Sequence, residues 1–154
     1  MADYRRNKRN NRNDNRTNEI NEIIQNINKH EKLTDIDIKD LLDEKTGYAY
    51  KIAEISKKSR TKLKTTQLRK YFDAIRKMEG KNKWEDIEPK FYLLKPRMAA
   101  GVGRDLVPRE FYDVIIVAMN KVNIGNNDEK LANFKVFVEF FESIVAYHKF
   151  LGGD

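Results

Sequence analysis

No cysteine occurs in the chain. That excludes disulfides, cysteine zinc sites and thiol nucleophiles, and it agrees with a reducing cytoplasm. Only seven glycines and three prolines are present, too few breakers for an all-β chain of tight turns. Histidine is as scarce, with only His30 and His148. Neither has a second histidine nearby or an Asp directly after it, so no Ser/His/Asp arrangement with a base and an orienter can be argued. A lone histidine near a helix end reads as structural. No run of about 18 apolar residues exists to span a bilayer. The charged N-terminus lacks the apolar segment of a secretory signal. The expectation is therefore a chain without a membrane partner.

What is present fits one domain. The 154 residues are 40% hydrophobic, enough for one core, and 36% charged, so most helices should be amphipathic. The net charge is +7, and its distribution matters more than its size. Residues 1–16 hold six Arg and Lys against two Asp, so this stretch alone carries +4. It is rich in Asn and Arg and has almost no apolar side chain besides Tyr4. Such a segment cannot bury enough surface to offset ordering entropy, which predicts a disordered tail over 1–16 and a folded domain over 17–154. The tail is either a solubilising extension or a basic arm that grips phosphates.

Apolar spacing in the folded part predicts helices throughout. The first has Thr17 as N-cap and a stripe of Ile20, Ile23, Ile24 and Ile27. Thr34 caps a second, with Asp35 and Asp37 in its first turn and Ile38, Leu41 and Leu42 on its apolar side. A third runs from about Gly47 to Ser59 with Tyr48, Ile52 and Ile55 on one face. A fourth opens at Thr65 and Thr66, carries Leu68, Tyr71, Phe72, Ile75 and Met78, and stops at Gly80. A fifth begins near Glu88 with Pro89 in its first turn. Its stripe is Ile87, Phe91, Leu94 and Met98, and Pro96 inside the pattern predicts a kink or break. Pro108 opens a sixth, with Phe111, Val114, Ile115, Ala118 and Val122 on one face. Ile116 and Val117 fall outside that face, as in a central helix. The last runs from about Asp128 to Leu151, with Gly152 as C-cap. Its apolar arc includes Phe134, Phe137, Val138, Phe141 and Val145. Phe140, Ile144 and Tyr147 widen that arc, so the helix is either deeply buried or meets another chain. The fold class is all-α, a single-domain bundle of six to seven helices.

Apparent chemical motifs dissolve on inspection. Asp35, Asp37 and Asp40 do not match a calcium loop, which needs more ligands and a mid-loop glycine; helix-cap acidity explains them. Gly101-Val-Gly103-Arg104 lacks the third glycine and the preceding strand of a dinucleotide fingerprint. It reads as a turn whose bare backbone lets a phosphate approach. The closing Gly152-Gly153-Asp154 reads as a helix stop. No catalytic residue, metal or cofactor is expected.

Three basic clusters remain. Lys57, Lys58, Arg60, Lys62 and Lys64 sit at the junction of helices three and four. Arg69, Lys70, Arg76 and Lys77 lie on helix four, where Arg69–Asp73 and Asp73–Arg76 pairs would make a solvated face. Lys90, Lys95, Arg97 and Arg104 flank Pro96. Lys95 falls close to the apolar stripe, where it either snorkels or presents its ammonium at a groove lined by Tyr92. Cations without an aromatic platform predict sequence-tolerant, salt-sensitive backbone contact.

Two stretches resemble a known family when taken together. One is Lys64 to Phe72, KTTQLRKYF. The other is Phe91 to Ala100, FYLLKPRMAA, followed by Gly103 and Arg104. With the closing Phe-rich helix, Phe134 to Phe150, they are similar to the small subunits of type III-A CRISPR effector (Csm) complexes over roughly residues 47–152. The resemblance implies a non-enzymatic helical bundle, present in several copies stacked beside the backbone subunits that hold the guide RNA. It implies partnership with further copies of itself, with the backbone and large subunits, and with guide and target RNA, in antiviral and anti-plasmid defence. Contacts to target RNA would be sequence-independent, since base pairing does the reading. Carried onto this chain, the RNA contacts are Lys64, Arg69, Lys95, Arg97 and Arg104, then Lys62 and Arg76. The tail matches nothing in the family pattern. Two other classes compete: a stand-alone helical DNA-binding protein, and a pure protein-interaction module.

Overall fold

The computed structural model describes the backbone of residues 2–153 and the side chains of residues 15–153. Seven α-helices and one short 3-10 turn follow in order: α1 (Ala2–Asn28), the turn Leu33–Asp35, α2 (Ile38–Leu42), α3 (Tyr48–Lys58), α4 (Thr65–Glu79), α5 (Trp84–Gly103), α6 (Arg109–Asn120) and α7 (Asn127–Phe150). No strand occurs among the described residues. The all-α bundle is the expected class.

α7 is the axis of the bundle. Phe134, Phe137, Phe140, Phe141 and Ile144 along it are essentially without exposure. α3, α4 and α5 all pack on it, while α6 packs on α1, α5 and α3. The wide aromatic arc is thus used within the chain. Phe137 meets Phe91 edge-on with ring centroids 5.4 Å apart, Phe141 meets Phe111 at 6.0 Å, and Trp84 meets Phe91 at 5.6 Å. Such pairs add about 0.5–1.5 kcal/mol each beyond burial. α7 starts in a capping box, in which Asn126 accepts from the Glu129 amide and Glu129 accepts from the Asn126 amide. Asn133, fully buried one turn further on, accepts from the Thr34 amide at 3.1 Å and donates to the Val122 carbonyl at 3.2 Å. One polar side chain thereby ties α7 to the 3-10 turn and to the exit of α6.

Several boundaries differ from the sequence reading. α1 does not begin at Thr17; its backbone is helical from Ala2, since no Gly or Pro interrupts a run of Arg, Lys and Asn. The side chains of 1–14, including most of the basic tail, lie outside the described residues. Arg16 is described, and its guanidinium donates to the carbonyl of Lys58 at the end of α3. Thr34 lies inside the 3-10 turn, and the true N-cap of α2 is Asp37, which accepts from the Lys39 amide at 3.0 Å. α5 starts four residues before Glu88, because Trp84 is buried and extends the apolar stripe backwards by a turn. It also runs unbroken through Pro96. Pro96 lies on the exposed face, where water can satisfy the carbonyl it leaves free. Phe91, Leu94 and Met98 hold the opposite face in the core.

Candidate nucleic-acid interface

α4 buries Leu68, Tyr71, Ile75 and Met78. That spacing forces Arg69, Lys70 and Lys77 outward. α5 buries Ile87, Phe91, Leu94 and Met98, leaving Lys90, Leu93 and Arg97 exposed. The two helices lie side by side, and a groove opens between them. One half is lined by Thr66, Arg69, Lys70, Asp73, Lys77, Lys90, Leu93 and Arg97. The other continues past the shared Lys70, Ala74 and Arg97 to Gln67, Arg104 and Leu106. Six cations (Arg69, Lys70, Lys77, Lys90, Arg97, Arg104) thus meet one carboxylate, Asp73. Among the described residues, none of the six lies within 4.0 Å of a carboxylate. Their mutual repulsion falls when an anion enters, so the groove favours polyanions.

The structure brings together three of the seven sequence-derived candidates, Arg69, Arg97 and Arg104. Arg76 stands apart: its guanidinium lies 5.6 Å from the centre of the Phe72 ring and 3.8 Å from Glu79. The expected Arg69–Asp73 and Asp73–Arg76 pairs do not form among the described residues; Arg76 pairs with Glu79 instead. Lys95 is turned towards α6. Its ammonium donates to Asn120 Oδ1 at 2.9 Å and sits 5.2 Å from the centre of the Tyr92 ring, while Asn123 donates to the Tyr92 hydroxyl at 2.6 Å. Lys62 and Lys64 are exposed on the connection into α4, outside the groove lining. Lys70, Lys77 and Lys90 join the groove although they were not among the seven. A signal for them existed: positions 70 and 77, and 90, 97 and 104, are spaced by sevens, which keeps them on one helix face.

The remaining candidates have structural settings. Asp37 caps α2. His148 is buried at the end of α7, with Nδ1 3.3 Å from Thr65 Oγ1. The same hydroxyl donates to the Gly153 carbonyl at 2.8 Å, and the Lys57 ammonium donates to the Leu151 carbonyl. Gly101 is not a phosphate seat: its peptide is buried, and its carbonyl accepts from the amides of Leu106 and Val107. No group of three or more His, Asp or Glu able to hold a metal ion occurs among the described residues. Likewise, no helix among them is long and apolar enough to cross a membrane.

Fold and surface together define an all-helical protein with a cationic groove between two of its helices. The family of type III-A Csm2 proteins, described as Csm2 Type III-A, matches residues 39–154. The chain belongs to that family, the small subunit of a type III-A CRISPR complex and a structural component of a multi-subunit assembly. No curated protein matches it, and no solved structure does.

Proposed function

We propose that this chain is a non-catalytic subunit that stacks in several copies along the guide and target RNA of its complex and holds RNA backbone, without reading sequence, in the α4–α5 groove. The supporting observation is the convergence of six cations on one groove with a single carboxylate among them. The groove's exposed lining has no aromatic platform, which suits phosphate contact over base readout. Residues 1–16 add a basic arm to this reading. The setting is cytoplasmic defence against viruses and plasmids.

The test is fluorescence anisotropy of the purified chain with a single-stranded RNA of about 40 nucleotides across a salt series. For single strands, log affinity falls with log salt at a slope of about 0.7 per phosphate neutralised. An Arg69/Lys70/Arg97/Arg104→Ala variant should lose up to about 2.8 of that slope and one to two orders of magnitude in affinity. Unrelated RNA sequences should bind alike. Unchanged binding by this variant overturns the groove assignment. Loss confined to a tail deletion would move the contact to residues 1–16. Preference for duplex DNA would favour the stand-alone DNA-binding reading. That reading has little support, because α6, the helix that would have to enter a groove, buries Phe111, Val114, Ile115, Ala118 and Met119.

A further inference from the structure

Gly101 presents an anomaly that RNA contact alone does not explain. It lies in the last turn of α5, where glycine is a weaker helix former than alanine. A Cβ there would stand 2.5 Å from the Tyr71 hydroxyl oxygen and 2.7 Å from Val107 Cγ2. The missing side chain is the space that Tyr71 occupies. Tyr71 comes from α4, is only 4% exposed, and directs its hydroxyl at the α5 backbone, 3.5 Å from the Arg97 carbonyl oxygen. One turn earlier on α4, Gln67 donates from Nε2 to that hydroxyl at 2.8 Å.

We infer that Gln67, Tyr71 and Gly101 form a spacer that sets the distance between the α4 cations and the α5 cations, so that one RNA strand is bridged by both rows at once. The inference rests on the groove reading above. Gly101 determines how closely α5 approaches Tyr71. Its carbonyl also receives the amides of Leu106 at 2.9 Å and Val107 at 3.2 Å, which folds back the turn carrying Arg104. Asp105 in that turn has φ of 58°, a left-handed conformation held by this closure. The spacer therefore touches two points of the α5 cation row, the Arg97 backbone and the Arg104 turn, without placing a charge in the groove. Tyr71 and Gly101 are positioning residues. They act through Arg97 and Arg104.

The test is a double-mutant cycle on RNA affinity. Tyr71→Phe should weaken binding about fivefold, the equivalent of one net hydrogen bond of about 1 kcal/mol. Gly101→Ala, whose Cβ must displace the Tyr71 hydroxyl and Val107, should weaken it more. Gln67→Leu at a half-exposed position removes the bond to Tyr71 without altering the core. It should reproduce the Tyr71→Phe effect if that variant folds poorly. In an Arg97/Arg104→Ala background, each spacer change should have little further effect, because its route to the RNA is gone. Tyr147→Phe removes another partly buried tyrosine hydroxyl, bound to the Leu42 carbonyl at 2.6 Å, and should leave affinity unchanged. Parent-like binding by Gln67→Leu and Gly101→Ala, with Arg97/Arg104→Ala still weakened, overturns the spacer and leaves the groove intact. Effects fully additive with Arg97/Arg104→Ala also overturn it. Parent-like binding by Arg97/Arg104→Ala itself overturns both.

Discussion

The two sides of α5 carry similar residues and put them to different uses. Towards α4 it presents Lys90 and Arg97, which have no carboxylate within 4.0 Å among the described residues. Towards α6 it presents Lys95, whose ammonium is held by Asn120 and by the face of Tyr92. A cation with protein partners has its charge spent on fixing helix to helix. A cation among other cations stores repulsion that only an outside anion relieves. Counting basic residues along a sequence does not separate these two kinds; their neighbours in space do.

Both sides of α5 rest on the same buried stripe, so the largest disturbance should erase the contrast altogether. Phe91 is in contact with the rings of Trp84, Phe134 and Phe137. Phe91→Ala should destabilise the fold by about 3–5 kcal/mol, as truncation of a fully buried aromatic does. Chemical denaturation would show it as a lowered midpoint. RNA binding should then fall with the folded fraction. A variant that stayed folded at parent stability would mean that α5 is not anchored as its packing indicates.

Single changes on either side of α5 should sharpen the contrast. Lys90→Ala should lower RNA affinity and reduce the salt slope by up to about 0.7, one phosphate contact, with thermal stability unchanged or slightly raised as repulsion is relieved. Lys95→Ala should do the reverse. Loss of the bond to Asn120 and of the contact with Tyr92 should cost about 0.5–1.5 kcal/mol of stability and leave the salt slope alone. Paired melting curves and salt titrations of the two variants decide the matter. If Lys95→Ala flattens the salt dependence as much as Lys90→Ala, the RNA path crosses α5 and the division between the two sides is false.

Legibility followed the same division between what lies within a helix and what lies between helices. α4 was readable end to end: a strict apolar stripe, a start at Thr65 and a stop at Gly80. The inward stripe of α6 and the breadth of the α7 arc were readable too, because burial leaves its period in the sequence. α5 differs from its local signals at both prolines. Local rules place Pro89 in a first turn and predict a kink or a break at Pro96; the buried Trp84, Phe91 and Met98 carry the helix a turn further back and on through Pro96 without a break. Tertiary packing outweighed local propensity there. In the groove, Arg69, Arg97 and Arg104 were found from charge and family likeness. Lys70 and Lys77 share one face of α4 by their spacing of seven, but Lys90 joins them only once α4 and α5 lie side by side, and no periodicity within one helix encodes that. The proximity of Lys95 to the apolar stripe was visible, but Asn120, twenty-five positions away, was not.

Lys32 supplies a third kind of cation, one paired with a carboxylate, and hence the smallest expected effect. Its ammonium bonds Glu129, which also accepts the Asn126 amide in the cap of α7. The Lys32 hydrogen bond, then the backbone bond from Asn126, hold the Glu129 carboxyl below its ordinary value of 4.5. The Glu129 bond and charge hold the Lys32 ammonium above its ordinary 10.5. The depressed carboxyl contributes stability that is present above its unfolded value and is lost as pH falls through the folded one. The raised ammonium contributes stability that is present below its unfolded value and is lost as pH rises through the folded one. Between those limits the pair is intact, and both sites are open to water, so salt should weaken it. Glu129→Gln should therefore lower the melting temperature slightly near neutral pH and flatten its decline below pH 4.5. RNA affinity in the groove should not move. An acid limb as steep in Glu129→Gln as in the parent would show that other carboxylates carry it. Altered RNA binding would show that the paired cation and the open groove are coupled.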